Sequence, residues 1–296
     1  MDCWTWPYRT TARIVSLNPL LSPAAALGSA ATLGVADFTG GLAGRRTPPP
    51  AVALGVESVG FVVAPLALWL LPVRFDVAAA LFTFAGGAVG GFGLILFYRA
   101  MALNMIGVVA PITAVVAAAL PVGFGVLVFG ERLHLGQVAG IVVGLGAIAL
   151  INGGGSGSTR DARLAVGLAI AAGVCFGAFF VLYHAGSGGG VVAFLSGRVA
   201  SGMIAIAFAL VSRVSPIPEV KAWRLILIAG TLDGAGVVLY LYATFHGLLS
   251  LTALLTSFYP AFTILAARFV LRERLAPRQA AGALLAIVAV ALIAAA

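Results

Sequence analysis

Charge is scarce in this sequence. Lys, Arg, Asp and Glu together make up 9% of its 296 residues, where a soluble domain carries roughly 25%. A soluble fold so poor in charge would have little to cover its surface with. Cysteine is nearly absent as well. Cys3 and Cys175 stand alone in a terminal arm and an apolar run, which excludes a disulfide framework and gives no metal-ligand spacing. Lysine occurs once, at Lys221, among 17 basic residues, a bias that reads as genomic base composition. The motifs of common enzyme chemistry are missing too. There is no GxxxxGK[ST] loop, no HExxH, no paired-aspartate signature and no GxSxG elbow, so no catalytic residue, cofactor or metal is expected.

What is present is hydrophobic surface, 62% of the chain. In lipid the outer surface must be apolar, and only helices or closed barrels satisfy their own backbone there. A helical span needs about 20 mostly apolar residues. Ten such stretches are read near 22–43, 51–71, 77–98, 105–129, 134–152, 163–184, 191–212, 222–245, 248–271 and 276–296. The expected fold is therefore an all-α membrane protein of about ten transmembrane helices. Residues 1–21 lie before the first span and lack the apolar core and cleavage pattern of a signal peptide. They read either as an interfacial arm anchored by Trp4, Trp6 and Tyr8 or as an over-extended translation start. The net charge of +8 does not point to nucleic acid, because the basic residues sit in short loops and at helix ends, where they orient membrane helices.

The chain also repeats itself. Residues 129–151 and 271–293 agree at ten of 23 positions, among them the polar pairs Glu131/Glu273, Arg132/Arg274 and Gln137/Gln279. Upstream, Ala110 and Thr113 match Ala253 and Thr256 after a one-residue slip. Between the halves runs Asn152-Gly-Gly-Gly-Ser-Gly-Ser-Thr159, a flexible polar linker. The expected organisation is a first five-helix repeat over 22–152, a linker over 153–162 and a second repeat over 163–296. Five spans per half is an odd number, so the second half enters the membrane from the other side. That makes an inverted repeat, a pattern many secondary transporters use for alternating access around a midplane site.

These motifs carry a family resemblance. The turns Gly130-Glu131-Arg132-Leu133 and Arg272-Glu273-Arg274-Leu275, the run Val109-Ala110-Pro111-Ile112, and Ser257-Phe258-Tyr259-Pro260 thirteen residues before Glu273 resemble the ten-helix EamA-type transporters of the drug/metabolite transporter superfamily. The opening Gly34-Val35-Ala36-Asp37-Phe38 with Arg45-Arg46 looks like one bacterial branch. The chain departs from the pattern at Arg272, where a Gly is usual, and at Ala118, which stands where Pro260 stands in the second half. The resemblance covers about 22–296 and implies a solute transporter.

Polar residues inside spans are the candidate site. An ionised group at the bilayer centre costs at least about 2.5–3.5 kcal/mol, so such groups must face a cavity, pair, or carry protons. Of nine acidic residues, three fall inside spans: Asp37, Glu57 and Asp233. Asp233 lies nearest the midplane, beside Gly234 and Gly236. Asp37 and Glu57 lie roughly 10–12 Å from one membrane face by helical rise and read either as a shared acidic site or as helix-end acids near Arg45-Arg46. Arg198 lies in the seventh span and enters from the opposite face. It matches Glu57 across the repeats if a gap is allowed, and an Arg there also looks like the family's second-helix arginine. It reads as a charged gate or as a snorkelling side chain. Tyr259, Tyr240, Tyr98 and Thr256 are softer candidates. Glycines at 86, 87, 90, 91 and 93 read as close helix contacts.

The function expected is secondary active transport, export or exchange of a small organic metabolite or drug-like solute across the cell membrane, with protons as a candidate coupling ion. The partners expected are membrane lipid and a small-molecule solute, with no nucleic acid. The alternative is a non-transporting membrane subunit or scaffold. Orientation is contested. Odd-numbered loops hold eleven basic residues against four in the termini and even-numbered loops, which places both termini outside, whereas the resembled superfamily often has them in the cytoplasm.

Overall fold

The computed structural model describes residues 21–103, 109–117, 119–120, 135–152, 159–246, 255–256, 258–271 and 277–295. The arm before residue 21, the two Glu-Arg-Leu turns, Ala118, Ala253, Ser257 and the glycine run 153–158 lie outside the described residues. The helices are α1 (Leu21–Ala43), α2 (Pro49–Leu70), α3 (Val77–Ala102), α4 (109–117), α5 (Leu135–Asn152), α6 (Thr159–Ala185), α7 (Gly190–Val211), α8 (Trp223–His246), α9 (Tyr259–Leu271) and α10 (Pro277–Ala295). The chain is an all-α membrane protein. By length and composition, five described stretches are able to cross a bilayer: Pro49–Leu70, Val77–Ala102, Arg160–Ala185, Ser187–Val211 and Val220–His246. Although α1 has 23 residues, it falls outside that group. Ser22, Ser29, Thr32, Asp37 and Thr39 dilute its apolar character, and three of them, Ser29, Asp37 and Thr39, are buried against neighbours.

Local chemistry sets several helix ends. Asp76 caps α3, its Oδ1 accepting from the Ala78 and Ala79 amides at 2.9 and 3.1 Å, which satisfies two of the amides a helix start leaves open. Pro65 lacks an amide donor, and the helix tightens into a 3-10 turn over Phe61–Val63 just before it. That break lies one turn beyond Glu57. The sixth helix begins at Thr159, so its first four residues fall in the segment expected as linker.

Packing follows small residues, as it must where lipid offers no hydrophobic contrast. The most extensive contacts are α1 on α8, α3 on α6, α5 on α10 and α3 on α7, followed by α2 on α8, α1 on α9 and α2 on α7. The α3 glycines divide between two neighbours. A Cβ on Gly86, Gly90 or Gly93 would meet Tyr183, Phe179 or Cys175 of α6, whereas one on Gly87 or Gly91 would meet Gly197 or Ser201 of α7. On α8, Gly230 and Gly234 lie against the α2 backbone at Val56 and Gly60. The Ser29 hydroxyl donates to the Gly236 carbonyl at 2.8 Å and ties α1 to α8.

Loops sort to two ends of the bundle. At one end the Arg46 guanidinium donates to the Lys221 carbonyl at 3.2 Å, and the Glu219 amide donates to the Thr47 hydroxyl at 3.1 Å. At the other, the Val191 amide donates to the Pro72 carbonyl at 3.1 Å. Gly190 there has φ +55°, and a side chain on it would run into Pro72. The end of α2 therefore adjoins the start of α7, and the two helices run antiparallel.

Candidate functional site

Three of the four charged residues that lipid should exclude are gathered into one cluster. Arg198 Nη1 donates to Glu57 Oε2 at 2.7 Å, and Nη2 donates to Asp233 Oδ2 at 2.5 Å. The Ser201 hydroxyl donates to Glu57 Oε1 at 2.7 Å. Arg198 is 2% exposed and Glu57 8%. The guanidinium also lies over the Phe194 ring, 5.4 Å from its centroid, a favourable place for a cation. Two glycines make the cluster possible. A Cβ on Gly60 would lie 2.6 Å from Arg198 Nη1, so a larger residue there would push the guanidinium from its present place. Gly234 meets the Gly60 backbone, which draws α8 close enough for Asp233 to reach Arg198.

Arg198 thus does not stand apart on the face opposite the acids; it joins two of them. The expectation measured depth from helix ends. Glu57 and Arg198 each stand eight residues into helices of 22 residues, so each Cα is only about 4 Å from its helix's middle. Antiparallel packing brings them side by side, and the long arginine spans the remainder.

The cluster forms part of the wall of a cavity with about 730 Å³ of empty space, some of it open to the outside. Asp37, Glu57, Arg198, Asp233, Tyr240 and Tyr259 all line it. Asp37 is 8% exposed and accepts no hydrogen bond among the described residues. Tyr259, 5% exposed, has its hydroxyl buried with no partner among them. Tyr240 packs edge-on against Phe180, centroids 5.3 Å apart. Two sequence candidates do not line the cavity. Tyr98 is buried with its ring against Gly40, one turn beyond Asp37. Thr256 is buried with its hydroxyl unpartnered among the described residues. The threonine that binds α1 is Thr263, which donates to the Gly34 carbonyl at 2.9 Å.

Sequence reasoning missed Ser201 and the cavity's aromatic wall. Both left signals. Ser201 follows Arg198 by three residues, on the same helix face. Phe176, Phe179, Phe180 and Tyr183 recur at the spacing of one helical stripe, and all four line the cavity.

A sequence model of the EamA-like transporter family matches residues 163–295. This part of the chain is similar to that family. The EamA-like segment contributes α7 and α8, and with them Arg198, Ser201 and Asp233. The match, together with the five apolar stretches long enough to cross a bilayer, marks the chain as a multi-pass membrane protein. No curated protein matches the sequence significantly. A solved structure, described only as the crystal structure of a protein, is similar over 93% of this chain and 95% of its own, with a TM-score of 0.62 and 18% identity. A likeness at that identity speaks for the fold of nearly the whole chain and for nothing finer.

Proposed function

We propose that the chain is a secondary active transporter in the cell membrane. It exports or exchanges a small organic solute by alternating access between two inverted five-helix halves, with protons as coupling ion. The observation that carries the reading is the buried bridge from Arg198 to Glu57 and Asp233, which joins the two halves at the wall of an open cavity. Mirrored packing supports the inverted halves. The pair α1–α8 has its counterpart in α6–α3, and α2–α8 in α7–α3, while α5–α10 and α2–α7 would each be their own counterparts. Gly34 of α1 lies against α9, and Gly173 of α6 lies against α4. The threonine bonds repeat this, Thr263 to Gly34 and Thr113 to Ala169. Glu57 and Arg198 occupy the same register in α2 and α7, so their bridge would fall near the two-fold axis.

Charge counting supports coupling. Three carboxylates face one guanidinium, and an unbalanced charge in a low-dielectric site is costly. A proton or a cationic solute removes the imbalance, and exchanging one for the other is a coupling mechanism. The test uses the full chain in proteoliposomes with a pH dye inside, presented with a panel of amines, amino acids, carboxylates and sugars under pH gradients of either sign. At least one class should move protons, and Asp233→Asn should lower that flux by about tenfold or more. Silence across the panel would overturn the transport reading, and undiminished flux in Asp233→Asn would remove that carboxylate from it.

A further inference from the structure

We infer that the cavity takes a protonated organic amine with a flat apolar body, its ammonium held between the Asp37 carboxylate and the Tyr259 hydroxyl. The biological meaning of such a site rests on the transporter reading; its geometry does not.

The four charged residues of the cavity are not equivalent. Arg198 is committed to Glu57 and Asp233, and the second Glu57 oxygen is taken by Ser201. That set is closed. Asp37 stands outside it, buried and without a hydrogen bond among the described residues, yet lining the cavity. Tyr259 reaches the same cavity from α9, which packs on α1, and its buried hydroxyl has no partner among the described residues. A buried polar group without a partner is costly, and here such a hydroxyl and a carboxylate outside the arginine bridge, on adjoining helices, belong to the lining of one cavity. Both have lone pairs to offer. A group that fills both brings N–H donors and positive charge.

Other ligand classes fit worse. An anion would need a free cation, and the arginine is occupied on both of its terminal nitrogens. A divalent metal takes six or more oxygen ligands, or an octahedral set with waters, while this corner offers one carboxylate and one phenol. A quaternary ammonium has no N–H to give, so it would leave both acceptors unfilled. The rest of the wall suits a ring or hydrocarbon body. Phe176, Phe179, Phe180 and Tyr240 line it, with Phe179 and Phe180 centroids 5.3 Å apart. Aromatic faces also attract a cation directly.

The test compares four probes of similar size on the unaltered full chain, purified in detergent, by calorimetric titration at neutral pH. They are 2-phenylethylamine, phenyltrimethylammonium, 2-phenylethanol and 3-phenylpropionate. The amine should bind saturably and about tenfold or more tighter than the alcohol and the acid, with the quaternary cation between them. Equal affinity for the neutral or anionic probe overturns the proposal without any variant being made. Asp37→Asn should weaken the amine by about tenfold and leave the alcohol unchanged. Asp37→Glu should recover part of the loss, and Tyr259→Phe should cost about threefold to tenfold. Full amine affinity in Asp37→Asn overturns the assignment. The same protein in liposomes separates the two readings. Amine binding with no flux of any solute sinks transport and keeps the site. Flux of an anionic or neutral solute with no amine binding sinks the site and keeps transport.

Discussion

When one member of a buried three-way ion pair is removed, the charges left behind face each other with nothing between them. Arg198→Gln would leave Glu57 and Asp233 in that position, and the expected loss of stability is about 3–5 kcal/mol. The double variant Glu57→Gln/Arg198→Gln should recover a good part of it, because the repulsion goes with the charge. Unfolding of the purified protein in mixed detergent micelles measures both. A loss under about 1 kcal/mol in Arg198→Gln would mean that water already solvates the pair, as at a surface. Ser201→Ala should cost about 1 kcal/mol, the scale of a single hydrogen bond. The charged residues of the cavity were legible in the sequence for a simple reason. Lipid excludes charge, so Asp37, Glu57, Asp233 and Arg198 stand out against apolar neighbours. Their partnership was not legible. It depends on how α2 and α7 are rotated about their axes, which spacing along one chain does not fix. Gly60 shows the same limit, since nothing in its neighbourhood in sequence names Arg198 as the group it must admit.

At the scale of the helix, glycines divide into those that hold a contact and those that hold none. A Cβ on Gly87 would run into the Gly197 backbone of α7, and neither helix can give way without moving as a body. Gly87→Ala should therefore destabilise by about 1–3 kcal/mol. Gly167 of α6 has no neighbour within 4 Å of the place a Cβ would occupy. Gly167→Ala should be neutral or stabilising by up to about 1 kcal/mol, since alanine loses less backbone freedom than glycine. Thermal unfolding of the two variants side by side checks the contrast, and equal effects would mean that α3 and α7 are not in contact in the folded protein. Helix positions themselves were readable to within a few residues, as with 22–43 against Leu21–Ala43, because an apolar run of bilayer length is what a membrane-spanning helix requires and what a soluble surface does not tolerate. The tightened turn at Phe61–Val63 had its signal in Pro65. The division of the α3 glycines between α6 and α7 had none, for the two ladders are interleaved at adjacent positions and only packing tells them apart.

At the scale of the molecule, the two ends of the bundle differ in charge. Arg45, Arg46, Arg213 and Lys221 gather at one end, where Arg46 meets the carbonyl of Lys221. The other end holds Arg74, whose guanidinium lies 5.8 Å from the Phe245 ring centroid. Basic loops resist translocation, so the first end should face the cytoplasm and the second the outside. Phe75 is exposed beside Arg74, and Ser215 is exposed in the turn after α7. With Cys3 and Cys175 replaced by serine, Phe75→Cys should react with an impermeant maleimide on intact cells. Ser215→Cys should react only after permeabilisation. The opposite pattern would put the arginine-rich end outside and show that loop charge does not set the topology of this chain.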